Sequence, residues 1–142
     1  MASSKLYEGW CHCRAVGFRY RTALAPKDWS IRACQCSFCR THAALSTSDS
    51  AGSLEFVEHV PGARLKYQFG HKTADFLLCK HCGTYVGATM QSGDRRFGII
   101  NIRALPAMAE QIAVAVPMDY SSEAAAERLA RRASRWTPLA FG

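Results

Sequence analysis

No run of eighteen apolar residues occurs in this 142-residue chain, so no helix is expected to span a membrane. The stretch from Met1 to Trp10 carries Lys5 and Glu8 and lacks an apolar h-region. That argues against a secretory signal and points to a cytoplasmic protein. No internal repeat, low-complexity tract or domain linker interrupts the sequence. Composition excludes disorder, because 49% apolar and 20% charged residues is a globular balance. The length suits one domain with its own core, so residues 1–142 read as a single unit. Acidic side chains are the scarcer charge, 11 against 18 basic, for a formal net charge of +7.

Cysteine is what the chain has in excess. There are seven, and all lie in three short clusters: Cys11 and Cys13; Cys34, Cys36 and Cys39; Cys79 and Cys82. No disulfide arrangement uses three thiols within six residues, and a hydrophobic core has no need of them. In a reducing compartment such clusters read as metal ligands. Seven divides as four plus three. A closed zinc site takes four ligands, and an open one takes three and leaves a position for solvent or substrate. Seven thiolates and two Zn²⁺ ions lower the net charge to about +4. That mild excess suits a small anion and does not demand nucleic acid.

Cys79-Lys80-His81-Cys82-Gly83 is a zinc knuckle. Its two thiolates can chelate one ion from a tight turn, and Gly83 permits the backbone conformation that frees N–H groups to bond sulfur. The competing reading is a pair of buried hairpin cysteines. Cys11 and Cys13 would complete four ligands and pin the N-terminal segment to the middle of a sheet. Cys34, Cys36 and Cys39 are compact enough to hold an ion alone, and splitting them would strand a thiol. A substrate thiol at their open position would be deprotonated and nucleophilic at neutral pH. Alternatively, His42 or His12 completes a second closed site. His42 could also carry a proton nearby. Backbone N–H groups of Gln35, Ser37 and Phe38 are expected to orient the sulfurs. Arg40 could hold a carboxylate of a peptide-like ligand, or simply be a solvated cation.

The rest of the pattern is mainly β. Val16, Phe18 and Tyr20 alternate with Gly17, Arg19 and Arg21, as in a half-buried strand. Trp29 to Ala33 predicts a short strand leading to the central triplet, and Arg40 to Ala44 one helical turn. Ser46 to Ser53 reads as a polar loop. Leu54 and Phe56 mark another strand. Leu65, Tyr67 and Phe69 give the cleanest alternation in the chain, followed by a turn at Gly70 to Thr73. Ala74 to Leu78, Tyr85 to Met90 and Phe97 to Ile102 follow as strands. Leu105 to Glu110 is ambiguous, and Ile112 to Val116 after it is β-prone. A helix is expected from about residue 122 to 136, with Ser122 as N-cap and Pro138 as its stop. Ala126, Leu129, Ala130 and Ala133 would pack on the sheet. Arg128, Arg131, Arg132 and Arg135 would form a solvated face, or meet a partner or a phosphate backbone.

Trp10-Cys11-His12-Cys13, Cys34-Gln35-Cys36-Ser37-Phe38-Cys39-Arg40 and Cys79-Lys80-His81-Cys82-Gly83 together resemble the glutathione-dependent formaldehyde-activating enzyme family, also called the GFA or centromere-protein-V-like domain. The resemblance runs roughly from Tyr7 to Arg103 and places all seven cysteines on family ligand positions. It implies an Mss4-like two-layer β fold stapled by zinc, with the core at about residues 7–103 and the helix beyond. By the same resemblance Cys11, Cys13, Cys79 and Cys82 hold a structural zinc, and Cys34, Cys36 and Cys39 hold a catalytic one. The implied activity is that of a carbon–sulfur lyase, joining glutathione and formaldehyde in S-hydroxymethylglutathione. The implied partner is a small-molecule thiol such as glutathione, with no membrane and no nucleic acid, and a homodimer is allowed. Two departures bear on the substrate. Arg14 stands where many members have glycine, and Thr41-His42-Ala43-Ala44 replaces a Lys-x-Gly type segment. The alternative function is a zinc-stapled binding module that uses its basic helix.

Overall fold

A computed structural model describes residues 3–105 and 113–140 of the chain. Two sheets carry the fold. The smaller has three antiparallel strands, β1 (Lys5–Trp10), β2 (Val16–Thr22) and β5 (Ser53–Glu58), in the order β1-β2-β5.

The larger sheet is built from β3 (Arg32–Cys34), β4 (Ser46–Thr47), β6 (Arg64–Tyr67), β7 (Asp75–Cys79), β8 (Tyr85–Ser92), β9 (Arg95–Asn101) and β10 (Val116–Met118). Its order is β10-β3-β4-β9-β8-β7-β6, and β11 (Thr137–Pro138) pairs with β9. Two α-helices join them: α1 (Ser37–Thr41) and α2 (Ala125–Arg135). Among the described residues no helix is long and apolar enough to cross a membrane.

The central strands of the large sheet are buried on both faces, which is why they read as continuous apolar runs rather than alternations. Leu77, Val86 and Ile100 face the small sheet and meet Val16, Phe18, Tyr20 and Leu54 in one core. Phe76, Ala88, Met90, Phe97 and Ile99 point the other way and pack under Phe38 of α1 and under Leu129, Ala133 and Trp136 at α2. Gly87 makes the close approach of the sheets feasible. A Cβ there would lie 2.4 Å from the Ile99 carbonyl oxygen and 2.7 Å from the Phe56 ring.

Several elements differ from the sequence pattern. The strand expected at Trp29 to Ala33 lies at Arg32–Cys34, while Trp29 and Ile31 are core residues of the approach to it. The helical turn begins earlier, inside the triplet, because Cys36 caps it. The polar stretch after Leu45 is not an outer loop. Ser46, Thr47 and Ser48 are buried, Ser46 pairs with both Arg32 and Asn101, and Thr47 Oγ1 donates to the Ser30 carbonyl. Hydroxyls there fill the sheet's hydrogen bonds, as buried polar groups must. Leu65 and Tyr67, which alternate so cleanly, sit on the edge strand and are 44% and 48% exposed. Residues 106–112, which take in nearly all of the ambiguous stretch, lie outside the described residues.

The helix α2 is capped at Ala124, whose N–H donates to Glu127 Oε1, rather than at Ser122. Leu129 and Ala133 pack on the sheet as expected, but the helix is rolled relative to the rest of the expected faces. Ala126 and Ala130 are exposed, whereas Arg132 is buried and Arg128 and Arg131 are half-buried; only Arg135 of the four arginines is exposed. The tail then returns to the sheets. Thr137 and Pro138 pair with Gly98 and Phe97, and Ala140 N–H donates to the Leu54 carbonyl. That return fixes the roll of α2 and turns its arginines inward.

Candidate metal centres and the adjoining cavity

Two hairpin tips, one from each sheet, form the first cluster. Cys11 and Cys13 lie in the β1–β2 turn, and Cys79 and Cys82 in the β7–β8 turn. Their four sulfurs all lie within 4.8 Å of one another. Cys11 Sγ is 3.7 Å from Cys13 Sγ, and Cys13 Sγ is 3.6 Å from Cys79 Sγ. A tetrahedron with Zn–S bonds of about 2.3 Å has edges of about 3.8 Å, so the set fits a closed four-thiolate metal site. The N–H of Val16 donates to Cys11 Sγ and that of His81 to Cys79 Sγ, each at 3.3 Å. Gly83 adopts φ +79°, and its N–H closes the turn on the Cys79 carbonyl at 2.9 Å.

The second cluster is Cys34 at the end of β3 with Cys36 and Cys39 at the start of α1. These three sulfurs also lie within 4.8 Å of one another. The Cys39 N–H donates to Cys36 Sγ at 3.4 Å. The Gln35 N–H instead bonds the Met118 carbonyl at 2.9 Å, strapping the loop to β10. All seven cysteines are free thiols.

Without a metal the triplet shares one charge. Thiol hydrogen bonds from Cys34 and Cys39 pull the Cys36 pKa down to about 2. The same contacts push Cys39 far up and Cys34 up. Like charges this close cannot ionise together. A divalent cation would release the other two protons, so the donor set fits a soft metal with three protein ligands. The buried Tyr85 hydroxyl has no hydrogen-bond partner, and burial and the nearby cysteines push its pKa well up. It is neutral at physiological pH.

The triplet opens into a cavity of about 140 Å³. Phe69, Phe76 and Trp136 give it an apolar lining, and Arg32, Arg128, Arg131 and Arg132 a basic one. Glu123 takes the Arg131 guanidinium on both oxygens and Arg128 on one. Arg131 also lies 3.5 Å above the centre of the Tyr120 ring.

A family model described as glutathione-dependent formaldehyde-activating enzyme matches residues 6–116. The chain belongs to that family. The GFA fold is Mss4-like, in keeping with the mostly β architecture. A Rhodobacter sphaeroides protein of known crystal structure is similar, at 28% identity and a TM-score of 0.50, over 70% of this chain and 88% of that one. No curated protein matches the chain.

The cysteines therefore group in this GFA chain as the sequence partition expects, four and three. The histidines and Arg40 do not join them. His12 is exposed and is tied by its backbone N–H to Thr84. His42 packs on the Phe38 ring at 4.5 Å, and no histidine belongs to either sulfur set among the described residues. Arg40 is exposed and does not line the cavity. The cations at this site come instead from β3 and α2. Arg32 carried no recognisable signal. The run Arg128, Arg131, Arg132 did, but its inward direction depends on the return of Thr137 and Pro138 to the sheet. Arg14 and Ala43, at the two departures from the family pattern, both have positive φ, 67° and 50°.

Proposed function

We propose that this GFA-family chain is a zinc-dependent carbon–sulfur lyase that acts on a thiol adduct, with glutathione and formaldehyde as the reference pair. The observation that carries this reading is the three-sulfur set opening into an arginine-lined cavity while four other sulfurs close separately. Cys11, Cys13, Cys79 and Cys82 would hold a structural Zn²⁺, and Cys34, Cys36 and Cys39 a catalytic one. When bound there, Zn²⁺ supplies an electrophilic position at which a substrate thiol loses its proton.

The chain's own groups prepare the rest. Cys34, Cys36 and Cys39 are held by β3 and the first turn of α1, so their sulfurs need little rearrangement. Phe69, Phe76 and Trp136 exclude water and so strengthen every charge interaction inside. The guanidinium groups favour the anionic form of an incoming thiol. In the net reaction the sulfur adds to the aldehyde carbon and the C=O π pair moves to oxygen. The thiol proton ends on that oxygen, so thiol plus aldehyde equals the hydroxymethyl thioether with no oxidant. Seven unpaired thiols suit a reducing compartment, and the reading places the protein in the cytoplasm.

Exchange NMR of glutathione with formaldehyde tests it. Zinc-loaded protein is expected to speed formation and breakdown of the adduct, and folded Cys36→Ser protein is expected not to. An unchanged exchange rate with glutathione sinks the glutathione version, and an unchanged rate with a small thiol such as mercaptoacetate as well sinks the lyase reading.

A further inference from the structure

Arg128 and Arg131 share Glu123, but two other guanidinium groups line the cavity with no carboxylate within ion-pair distance among the described residues. They belong to Arg32 and Arg132. Arg132 is only 9% exposed. One of its nitrogens, Nη1, donates to Thr73 Oγ1 at 2.8 Å, and the group lies 4.8 Å from the centre of the Trp136 ring. Its Nε is buried and has no hydrogen-bond partner among the described residues. Arg32 Nη2 donates to Ser48 Oγ at 2.7 Å, and that hydroxyl donates on to the Arg135 carbonyl. Burial draws both guanidinium pKa values down, Arg132 to about 10, and a guanidinium keeps its charge in proteins.

A buried cation without a counter-ion is costly, and so is a buried donor without an acceptor. The triplet offsets one of the two charges. As a three-thiolate set around a divalent ion it would carry one negative charge. Asp119 lines the cavity too, but it is exposed and accepts from the Ser121 N–H. One positive charge is therefore left over, in the cavity that the sulfurs also line.

We propose that Arg132, assisted by Arg32, forms a carboxylate subsite beside the triplet, and that the substrate is a compact thiol or its aldehyde adduct with a carboxylate close to the sulfur. This rests on the reading of the triplet as the thiol site. The cavity's size agrees: about 140 Å³ is well under the roughly 300–1,000 Å³ of pockets for drug-sized ligands. Arginine presents paired donors that match a carboxylate. Thr73 and the Trp136 ring hold the guanidinium in place before the ligand arrives, so binding orders little.

The test is calorimetric titration of zinc-loaded wild-type protein with mercaptoacetate and with its methyl ester. The two have nearly the same shape and the same thiol, and the ester lacks the charge. Mercaptoacetate is expected to bind roughly tenfold tighter or more. The preference should vanish in Arg132→Gln, where the thiol itself still binds. An ester that binds as well as the acid overturns the subsite, and so does a preference that survives intact in folded Arg132→Gln protein. If Arg132→Gln does not fold, the wild-type comparison decides, with propionate as competitor. Propionate that fails to displace mercaptoacetate overturns the subsite as well. Failure of the lyase reading looks different: the acid is preferred, yet no thiol–aldehyde exchange is accelerated.

Discussion

Arg131 closes both prongs of its guanidinium on Glu123, Nε to Oε2 at 2.8 Å and Nη2 to Oε1 at 3.0 Å. The two side chains are about four-fifths buried. Glu123 precedes α2 and Arg131 lies in its second turn, so the pair ties the approach segment to the helix. Its hydrogen bonds to Arg131 hold the Glu123 carboxyl below the usual carboxylate range, against burial, which pushes the other way. A depressed carboxylate stabilises the fold above its ordinary pKa and loses that contribution as pH falls through the lowered value. A ¹³C titration of the Glu123 carboxyl should therefore have its midpoint below 4.5. Replacing Glu123 with Gln should cost on the order of 1 kcal/mol at pH 7 by urea unfolding. A midpoint at or above the ordinary value would show that the pair does not form in solution.

The two sulfur sets should separate in a metal count. Cys36→Ser protein is expected to keep its fold and lose one of two bound metal equivalents. Cys79→Ser should instead disconnect the two hairpin tips and abolish the cooperative unfolding transition, because a structural metal's binding energy is folding energy. Elemental analysis with circular dichroism reads both. Loss of both equivalents in folded Cys36→Ser protein would contradict independent sites.

Arg14 and Ala43 hold left-handed backbone at φ 67° and 50°. Each is exposed, so neither side chain repays the strain by burial. Left-handed backbone costs a Cβ-bearing residue about 1–2 kcal/mol, and glycine returns part of that as unfolded-state entropy. Arg14→Gly and Ala43→Gly should each raise stability by about 0.5–1 kcal/mol. Denaturant midpoints that fall in both variants would show that these residues do not occupy that conformation.

At Gly87 the opposite change is damaging. An added methyl group meets the Ile99 carbonyl, which is backbone, and the Phe56 ring of the other sheet. Gly87→Ala should destabilise by about 2 kcal/mol or more. A loss under half that size in chemical denaturation would mean that the sheets separate readily.

The grouping of the sulfurs was legible because thiol spacing is a local property. Cys34, Cys36 and Cys39 announce a chelate without any knowledge of the fold. The pairing of Cys11 and Cys13 with Cys79 and Cys82 followed from counting donors. Strands such as β2 were equally plain, since Val16, Phe18 and Tyr20 face one buried side. Exposure along β6 was not legible. Leu65 and Tyr67 alternate as a buried face would, but nothing in the sequence says that the sheet ends there. Nor do four arginines on one helix face say which way that face turns. Apolar burial would have put Ala126 and Ala130 inward, and the pairing of β11 with β9 decided otherwise. Ser46 to Ser48 misled for a related reason. Hydroxyls suit a loop on composition alone, and only the neighbouring strands supply the partners that let them be buried.

The two sulfur sets also differ in how far apart their members lie along the chain. Cys13 and Cys79 are separated by 66 residues, while Cys34 to Cys39 is a span of a few residues. Closing the longer loop costs roughly 2 kcal/mol more in chain entropy. An unfolded or half-made chain would therefore capture its first ion at the triplet. The four-sulfur set would wait until both hairpins had formed and met. Folding under scarce metal would stall with the triplet filled and the two hairpin tips still apart, and the second ion would set the pace.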